Sequence, residues 1–235
     1  MPSYVLLRSR SRQRAADTSF IGGTPRIPGG VPIPTCHLCS HEQSFFFQVA
    51  FPEGHPWAHE TIAVFSCTSC YDEDRLIPAL LPTIRDARIP SGFLTRYQVN
   101  FRFLVFPTAE GVPRSTYKPA VAYCRLDLER ASHPAVLATK VGGSPRWITG
   151  NERPHSYAGK YSLAFLLQFR AVPFDDDDTF KLVRSAPGQM AENYFSGKIE
   201  QSKKRRYELF VGNELYFFGT LGTKSPLVYC LPQKP

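Results

Sequence analysis

The chain has 235 residues, enough for one large domain or two small ones, and its hydrophobic content of 43% suffices to bury a core. Its 21 prolines and 16 glycines predict many turns, while 18 phenylalanines and 11 tyrosines favour strands. The net charge of +8 allows attraction to RNA, DNA, an anionic membrane or an acidic protein, and the lack of an 18-residue apolar run argues against a transmembrane helix.

The N-terminal segment joins a short apolar run to a basic cluster. Four apolar residues, Tyr4 to Leu7, precede four arginines within residues 8–14. A secretory signal has a longer apolar core that follows its charges, so we expect a cytoplasmic protein with reduced cysteines. Residues 1–19 are predicted to form a basic flexible N-terminal arm.

The rest of the chain reads as short strands separated by turns. Residues 20–39 hold two glycine pairs and four prolines, which excludes a regular helix or a central strand there. Three prolines between residues 71 and 90 leave room for one short, broken helix. Aromatic-rich or alternating segments predict strands, at 44–51, 61–67, 96–106, 122–129, 163–172, 179–183, 207–211, 214–220 and 227–231. The predicted class is mainly β, a β-rich α+β arrangement.

Parts of the sequence occur twice. IGGTPR at 21–26 is matched by VGGSPR at 141–146, and FFFQV at 45–49 by FLLQF at 165–169, both 120 residues further on. A looser match joins IAVFSC at 62–67 to LYFFGT at 215–220, with 33 additional residues in the second copy. We therefore predict an internally duplicated unit within one compact domain, with a first repeat over 20–140 and a second repeat with a charged insertion over 141–235.

The repeat assigns structural roles to its paired residues. The glycine pairs Gly22–Gly23 and Gly142–Gly143 are interpreted as turn residues with positive φ, since neither copy has the spacing or the following helix of a phosphate loop. Gln48 and Gln168 also correspond, and each is expected to satisfy backbone groups of the preceding turn.

Four cysteines form two close pairs. Cys36 and Cys39 make one CxxC knuckle, and Cys67 and Cys70 make a second after 27 intervening residues. Two predicted strands lie between the knuckles, so the chain returns to its starting point and the four thiolates can surround a tetrahedral zinc ion. The alternative is four buried thiols without a metal.

The second copy lacks both knuckles. Ser156 and Gly159 stand at the positions of the first pair, and Thr220 and Thr223 at those of the second, as expected if the four cysteines serve one site. Cys124 and Cys230 stand alone and are predicted to be core residues. His37 and His41 are possible substitute ligands that a complete set of four thiolates makes unnecessary.

No motif for catalysis stands out. A nucleophile elbow, a zincin helix, a Walker loop, a kinase set and a Rossmann turn are all missing from the sequence. The run Asp175–Asp178 is either a cation site or a solvated loop, and Lys203–Arg206 forms a second charged run in the same insertion. We expect a protein that is not an enzyme.

The order of these motifs resembles the YwqG-like superfamily, which includes programmed cell death protein 2 and its relatives. The resemblance rests on GG-x-P followed by CxxC, the strands that contain Gln48 and Gln168, the CxxC after an apolar strand, and Gly142, Gly143, Pro145 and Trp147 of the second copy. It covers residues 20–70 and 141–170, and 211–220 more loosely. The resemblance implies a duplicated, β-rich fold without established catalytic residues.

The resemblance also implies protein binding. Bacterial YwqG-like proteins look like immunity proteins, so the leading expectation is a zinc-containing protein that binds and neutralises a toxin domain, with the segments 71–95 and 170–210 as its partner-specific surfaces. Relatives of programmed cell death protein 2 act as dedicated chaperones of a ribosomal protein, which is the first alternative. The second is a nucleic-acid-binding zinc protein, suggested by the arginine-rich segment and by aromatics such as Phe45 to Phe47 if they were exposed.

Overall fold

A computed structural model describes residues 2–83, 85–131, 139–170 and 179–234. The run Asp175–Asp178 lies outside the described residues. The described part is mainly β, as predicted. None of its helices has the length and apolar character that crossing a membrane requires.

The described residues form sixteen strands. Their bounds are β1 Ser3–Ser9, β2 Phe20–Ile21, β3 Arg26–Pro28, β4 Ser44–Ala50, β5 Glu60–Ser66, β6 Arg88–Ile89, β7 Phe101–Pro107, β8 Gly111–Pro113, β9 Cys124–Arg130, β10 Lys140–Gly142, β11 Ser156–Tyr157, β12 Tyr161–Arg170, β13 Met190–Glu192, β14 Ile199–Gln201, β15 Glu214–Thr220 and β16 Val228–Gln233. The helices are a single turn, α1 at Phe93–Arg96, and the 3₁₀ segments Glu73–Arg75, Thr108–Glu110 and Leu209–Gly212.

One long sheet organises the fold. Its main path runs β16-β15-β12-β10-β1-β9-β2-β4-β5-β7, and β11 and β6 join it beside β12. Two small ribbons stand apart from it, β3 with β8 and β13 with β14. The main path is therefore centred on the antiparallel pair of β1 and β9, with four of its strands on either side of that pair.

The flexible arm predicted over residues 1–19 is wrong for its first half. Residues Ser3–Ser9 form β1, which pairs with β9 on one side and β10 on the other. Leu6 is only 5% exposed within this strand. Beyond it, the Gln13 side chain accepts from the Thr24 amide at 2.8 Å and donates to the Thr24 carbonyl at 2.7 Å. Residues 3–9 are thus held in the sheet, because Tyr4 and Leu6 pack against the core and the strand pairs with both β9 and β10.

Strand pairings on the two sides of the centre follow the same register. Phe20 lies opposite Gln48, and 120 residues further on Lys140 lies opposite Gln168. The ladder of β4 with β5 has an irregularity between Phe45 and Phe47, and that of β12 with β15 has one between Phe165 and Leu167. The offset is 120 residues between β2 and β10 and between β4 and β12, and 153 residues between β5 and β15, as the 33 additional residues of the looser match require.

The glycine turns before the strands adopt the same conformation in both places. Gly22, Gly23, Gly142 and Gly143 all have φ between 58° and 70°. A Cβ on Gly22 or Gly142 would lie 2.4 Å from a backbone carbonyl oxygen, that of Ala122 or of Pro2. Both positions therefore require glycine, because a side chain would meet the neighbouring backbone as well as an unfavourable φ.

The two paired glutamines satisfy these turns, which confirms their expected role. The Oε1 of Gln48 accepts from the Arg26 amide at 2.9 Å, and the Oε1 of Gln168 accepts from the Arg146 amide at the same distance. Both side chains are at most 5% exposed. Each buried glutamine side chain thus accepts a hydrogen bond from a backbone N–H group of the turn that has no partner in a strand.

Aromatic side chains from the two sides of the sheet meet in one core. The rings of Phe47 and Phe169 stack with centroids 4.1 Å apart, and Phe217 packs edge-on against Phe47 at 5.9 Å. Phe45, Phe46 and Phe47 are each at most 1% exposed. The burial of these three rings also rules out the idea that they stack on exposed nucleic-acid bases.

Three predicted strands differ from those observed. The segment 96–106 forms a strand only from Phe101, because α1 and a turn occupy Arg96 to Asn100. Residues 179–183 make only single bridges. The segment 207–211 contains a 3₁₀ turn in which Phe210 and Val211 have φ of 49° and 59°, a conformation that ends any strand.

Candidate metal centre and the adjoining cleft

The two CxxC knuckles meet because β4 and β5 are antiparallel neighbours. Ser44 at the start of β4 lies opposite Ser66 at the end of β5. The first knuckle precedes β4 and the second follows β5, so both stand at the same end of this hairpin. The predicted return of the chain to its starting point is therefore observed.

The four sulfur atoms form a compact set. The Sγ atoms of Cys36 and Cys70 are 3.8 Å apart, those of Cys39 and Cys67 3.6 Å, and those of Cys67 and Cys70 3.4 Å. All four lie within 4.8 Å of one another. A tetrahedron with Zn–S bonds of about 2.3 Å has edges of about 3.8 Å, so the spacing fits a four-thiolate metal ion.

Backbone hydrogen bonds and a residue with positive φ shape the turn of the first knuckle. The amide of Leu38 points at the Cys36 sulfur at 3.4 Å, and the amide of Ser40 donates to the Cys36 carbonyl at 2.9 Å. Ser40 takes a positive φ of 61°. This tight turn directs an N–H dipole toward a sulfur atom, which stabilises a thiolate.

The thiols differ in how easily they ionise. Burial opposes ionisation of Cys39, but its hydrogen bonds with His41 and the neighbouring sulfurs lower its pKa to about 7. Burial raises the pKa of Cys67 to about 11, and burial together with the nearby sulfurs raises the pKa of Cys70 further. Without a metal, the thiolate of Cys39 alone is thus favoured. Four thiolates together require a cation to offset their mutual repulsion.

The two histidines near the first knuckle lie outside the four-sulfur set. His41 Nδ1 lies 3.1 Å from the Cys39 carbonyl oxygen, and His37 Nε2 lies 3.3 Å from an Arg102 nitrogen. Cys230 is buried in the core as predicted, and Cys124 is partly buried and packs against the core. The described residues that converge on one metal position are therefore the four predicted cysteines.

A cleft of about 530 Å³ opens directly beside the metal centre. One wall is the second knuckle and the segment that follows it, and the other is the region around β13 and the 3₁₀ turn at Leu209–Gly212. Residues that line it include Cys67, Cys70, Arg75, Met190, Lys204 and Arg206. Most of the lining comes from the two segments expected to be partner-specific, 71–95 and 170–210; the exceptions are Ser66, Cys67, Cys70, Asn100 and Val211.

The turn that connects β13 and β14 carries two exposed aromatic side chains. Tyr194 and Phe195 lie in its connecting turn, are 94% and 96% exposed, and contact each other edge-on with centroids 5.6 Å apart. Asn193 shapes the turn, since its Oδ1 accepts from the Phe195 amide at 2.9 Å. This pair was not predicted from the sequence, although the segment Asn193–Lys198 carries the Asn, Ser and Gly residues typical of a turn.

The ribbon is attached to the second knuckle. The Met190 amide donates to the Thr68 carbonyl at 2.9 Å, and the Tyr71 hydroxyl donates to a Glu192 carboxylate oxygen at 3.2 Å. Thr68 lies between Cys67 and Cys70, so the second knuckle and β13 are joined directly. The four cysteines and the turn that carries Tyr194 and Phe195 are thus parts of one structural unit.

Comparisons with protein-family models, with curated proteins and with solved structures gave no match for this chain. The resemblance to the YwqG-like superfamily therefore stays a prediction from its motifs.

Proposed function

We propose that Cys36, Cys39, Cys67 and Cys70 bind one structural zinc ion. The supporting observations are the sulfur spacing and the Leu38 amide directed at the Cys36 sulfur. Four thiolates fill a tetrahedral zinc, leaving no position for a substrate or an activated water, so the proposed role is structural and not catalytic. The cytoplasm is the proposed location, because a reducing compartment keeps such thiols free of disulfides.

The metal proposal is tested by elemental analysis of the purified chain. We expect about one zinc per chain, which falls to near zero in Cys36→Ser and in Cys70→Ser, with the Tm lower by about 5–10 °C. Cys124→Ser is the matched control and should keep the metal. A wild-type chain without metal would mean that the four cysteines are buried thiols.

We further propose that the fold is an internal duplication of a YwqG-like unit. Its support is the constant offset of the pairings: Val5 lies opposite Lys140, and Arg125, 120 residues after Val5, lies opposite Phe20. On this interpretation β9 is the counterpart of β1, and each unit contributes its first strand to the sheet of the other. The second unit then begins near β9, earlier than the boundary at 141 expected from the sequence.

We propose that this protein binds another protein, and that its partner is a toxin domain that it neutralises. The observation that carries the binding role is the exposed pair Tyr194 and Phe195 on an anchored turn beside a cleft. Exposed aromatic side chains on a ribbon held by hydrogen bonds resemble the aromatic anchor residues that contribute most of the binding energy in protein interfaces. The toxin as partner rests on the resemblance to bacterial immunity proteins.

The test uses the full chain as bait in a lysate of its native host, followed by co-expression. We expect a captured protein that arrests bacterial growth when expressed alone, and growth that returns when the wild-type chain is present. The double variant Tyr194→Ser, Phe195→Ser should fail to restore growth, whereas Val112→Ser, Ile148→Ser, which changes two exposed apolar residues elsewhere, should restore it. Capture of a non-toxic ribosomal protein would instead support the chaperone alternative.

A further inference from the structure

The segment that follows β1 carries an arginine at every second position. Residues 8–14 read RSRSRQR, and the last three arginines are exposed. These side chains form the arginine strip, Arg10, Arg12 and Arg14. The residues between them face the body of the protein, because Gln13 makes two hydrogen bonds with the backbone of Thr24 and the Ser11 side chain hydrogen-bonds to Tyr123. This alternation indicates an extended backbone, held in place by its inward residues, that directs the arginines to solvent.

The arginine strip is not neutralised by acids of the described part of the chain. No carboxylate there lies within ion-pair distance of its guanidinium groups. The Asp17 carboxylate of this region is already used, since it accepts from the Tyr123 hydroxyl at 2.6 Å and from the Arg14 amide at 2.7 Å. Asp127 is likewise used, because it pairs with Arg125 at 3.0 Å. The region around the strip therefore carries an excess of positive charge.

The spacing of the arginine strip suits a row of phosphate groups. Alternate residues of an extended chain lie about 7 Å apart. Neighbouring phosphates along an extended nucleic-acid strand are separated by a similar distance, and each carries a negative charge. Guanidinium groups donate two parallel hydrogen bonds to phosphate oxygens and stay charged at physiological pH. The face of an acidic protein fits less well, since its carboxylates are interspersed with cations and do not form a regular row.

We propose that the arginine strip binds the phosphate backbone of a nucleic-acid strand. This function is additional to the proposed binding of a protein and uses none of the residues assigned to it. The hydrogen bonds of Ser11 and Gln13 already order the segment, so the strip loses little conformational entropy on binding. The segment 8–14 has no aromatic side chain on which a base could stack, so binding should not depend on base sequence.

The test measures the binding of fluorescein-labelled single strands of about 15 nucleotides to the full chain by anisotropy. Oligo-dT and oligo-dA of equal length should bind alike. We expect the triple variant Arg10→Gln, Arg12→Gln, Arg14→Gln to lose at least tenfold in affinity at about 50 mM salt. The slope of log K against log salt concentration should become shallower by about 2, as the loss of three phosphate contacts requires.

A matched control removes the same charge from exposed positions in other parts of the fold, Arg88→Gln, Arg96→Gln, Lys224→Gln. It should bind within about twofold of the wild type, because distant surface charges are screened. Equal losses in the two triple variants would overturn the inference, since net charge alone would then explain binding. A strong preference for one base would also contradict it.

Competition with poly-glutamate separates a nucleic acid from an acidic protein as the partner. At equal charge concentration, poly-glutamate should displace the labelled strand poorly from the wild-type chain. Equally effective displacement would mean that the strip accepts any chain of negative charges, and the inference would fail. This measurement also decides the matter if the arginine variant does not fold, as circular dichroism would show.

Discussion

His55 is a buried residue whose surroundings specify its neutral form. Its Nδ1 accepts from the Trp57 amide at 3.0 Å, and its Nε2–H points at the Leu166 carbonyl at 3.3 Å. The ring stacks on Phe51 with centroids 4.5 Å apart, and the residue is 4% exposed. Burial lowers the pKa of His55 to about 4, and a proton on Nδ1 would also oppose the Trp57 N–H.

This depressed pKa predicts acid destabilisation. The unfolded chain takes up a proton near pH 6.5 and the folded chain only near pH 4, so the contribution of His55 is complete above pH 6.5 and is lost as pH falls toward 4. Between pH 7 and pH 5 we expect the free energy of unfolding to fall by about 2 kcal/mol on this account. Urea unfolding at both pH values measures it, with His55→Gln as comparison. Equal pH dependence in the two proteins would contradict the assignment.

At the scale of single residues, the cysteine set and the paired glutamines were predictable, because their roles require a recognisable pattern in the sequence. Two CxxC pairs around one hairpin allow four sulfurs to meet, and a glutamine inside an apolar strand needs a backbone partner. No such pattern predicted the position of Arg206. Its place in the cleft wall with Cys67 and Cys70 depends on how the segment before β15 folds, which no local pattern encodes.

Strand β1 determines whether the two sides of the sheet stay joined, and it offers a matched pair of adjacent positions. Leu6 is 5% exposed and faces the core, whereas Leu7 is 42% exposed on the other face. We expect Leu6→Asp to lower the free energy of unfolding by about 3 kcal/mol or more, and Leu7→Asp by less than about 1 kcal/mol. Urea denaturation of both variants measures this. Two equally mild effects would mean that residues 3–9 are a flexible arm after all.

Elements with strong internal patterns were predictable, and elements that depend on distant partners were not. The apolar segments at 44–51 and 61–67 correspond closely to β4 and β5. β1 was missed because its partners, β9 and β10, lie more than 100 residues away and arginines follow it at once. The predicted strand at 207–211 failed because Phe210 and Val211 take positive φ, a conformation that tertiary contacts impose against their β propensity.

On the scale of the whole molecule, the proposed metal would stabilise one region, and the opposite side of the sheet would depend on its own packing. In the proposed second copy, Thr220 and Thr223 correspond to Cys67 and Cys70, and their hydroxyl oxygens lie 3.1 Å apart in a hydrogen bond. This hydrogen bond links the two positions that sulfur atoms occupy in the second knuckle. A metal bound at the knuckles would fix the turn that contains Thr68 and, through the Met190–Thr68 hydrogen bond, would support the β13–β14 ribbon.

If zinc binds as proposed, its removal should loosen the β13–β14 ribbon and the second knuckle before it loosens the main sheet. After chelation we expect amide hydrogen exchange to accelerate at 67–76 and 189–201, because Thr68 and Tyr71 no longer hold Met190 and Glu192. The ladder of β12 with β15 has its own core contacts and should exchange as before. The variant Tyr71→Phe, with its metal retained, separates the effects, since it should loosen the ribbon slightly and leave the knuckle protected. Uniform acceleration over both sides of the sheet would instead make the metal a requirement of the entire fold, and an unchanged ribbon would show that the knuckle does not support it.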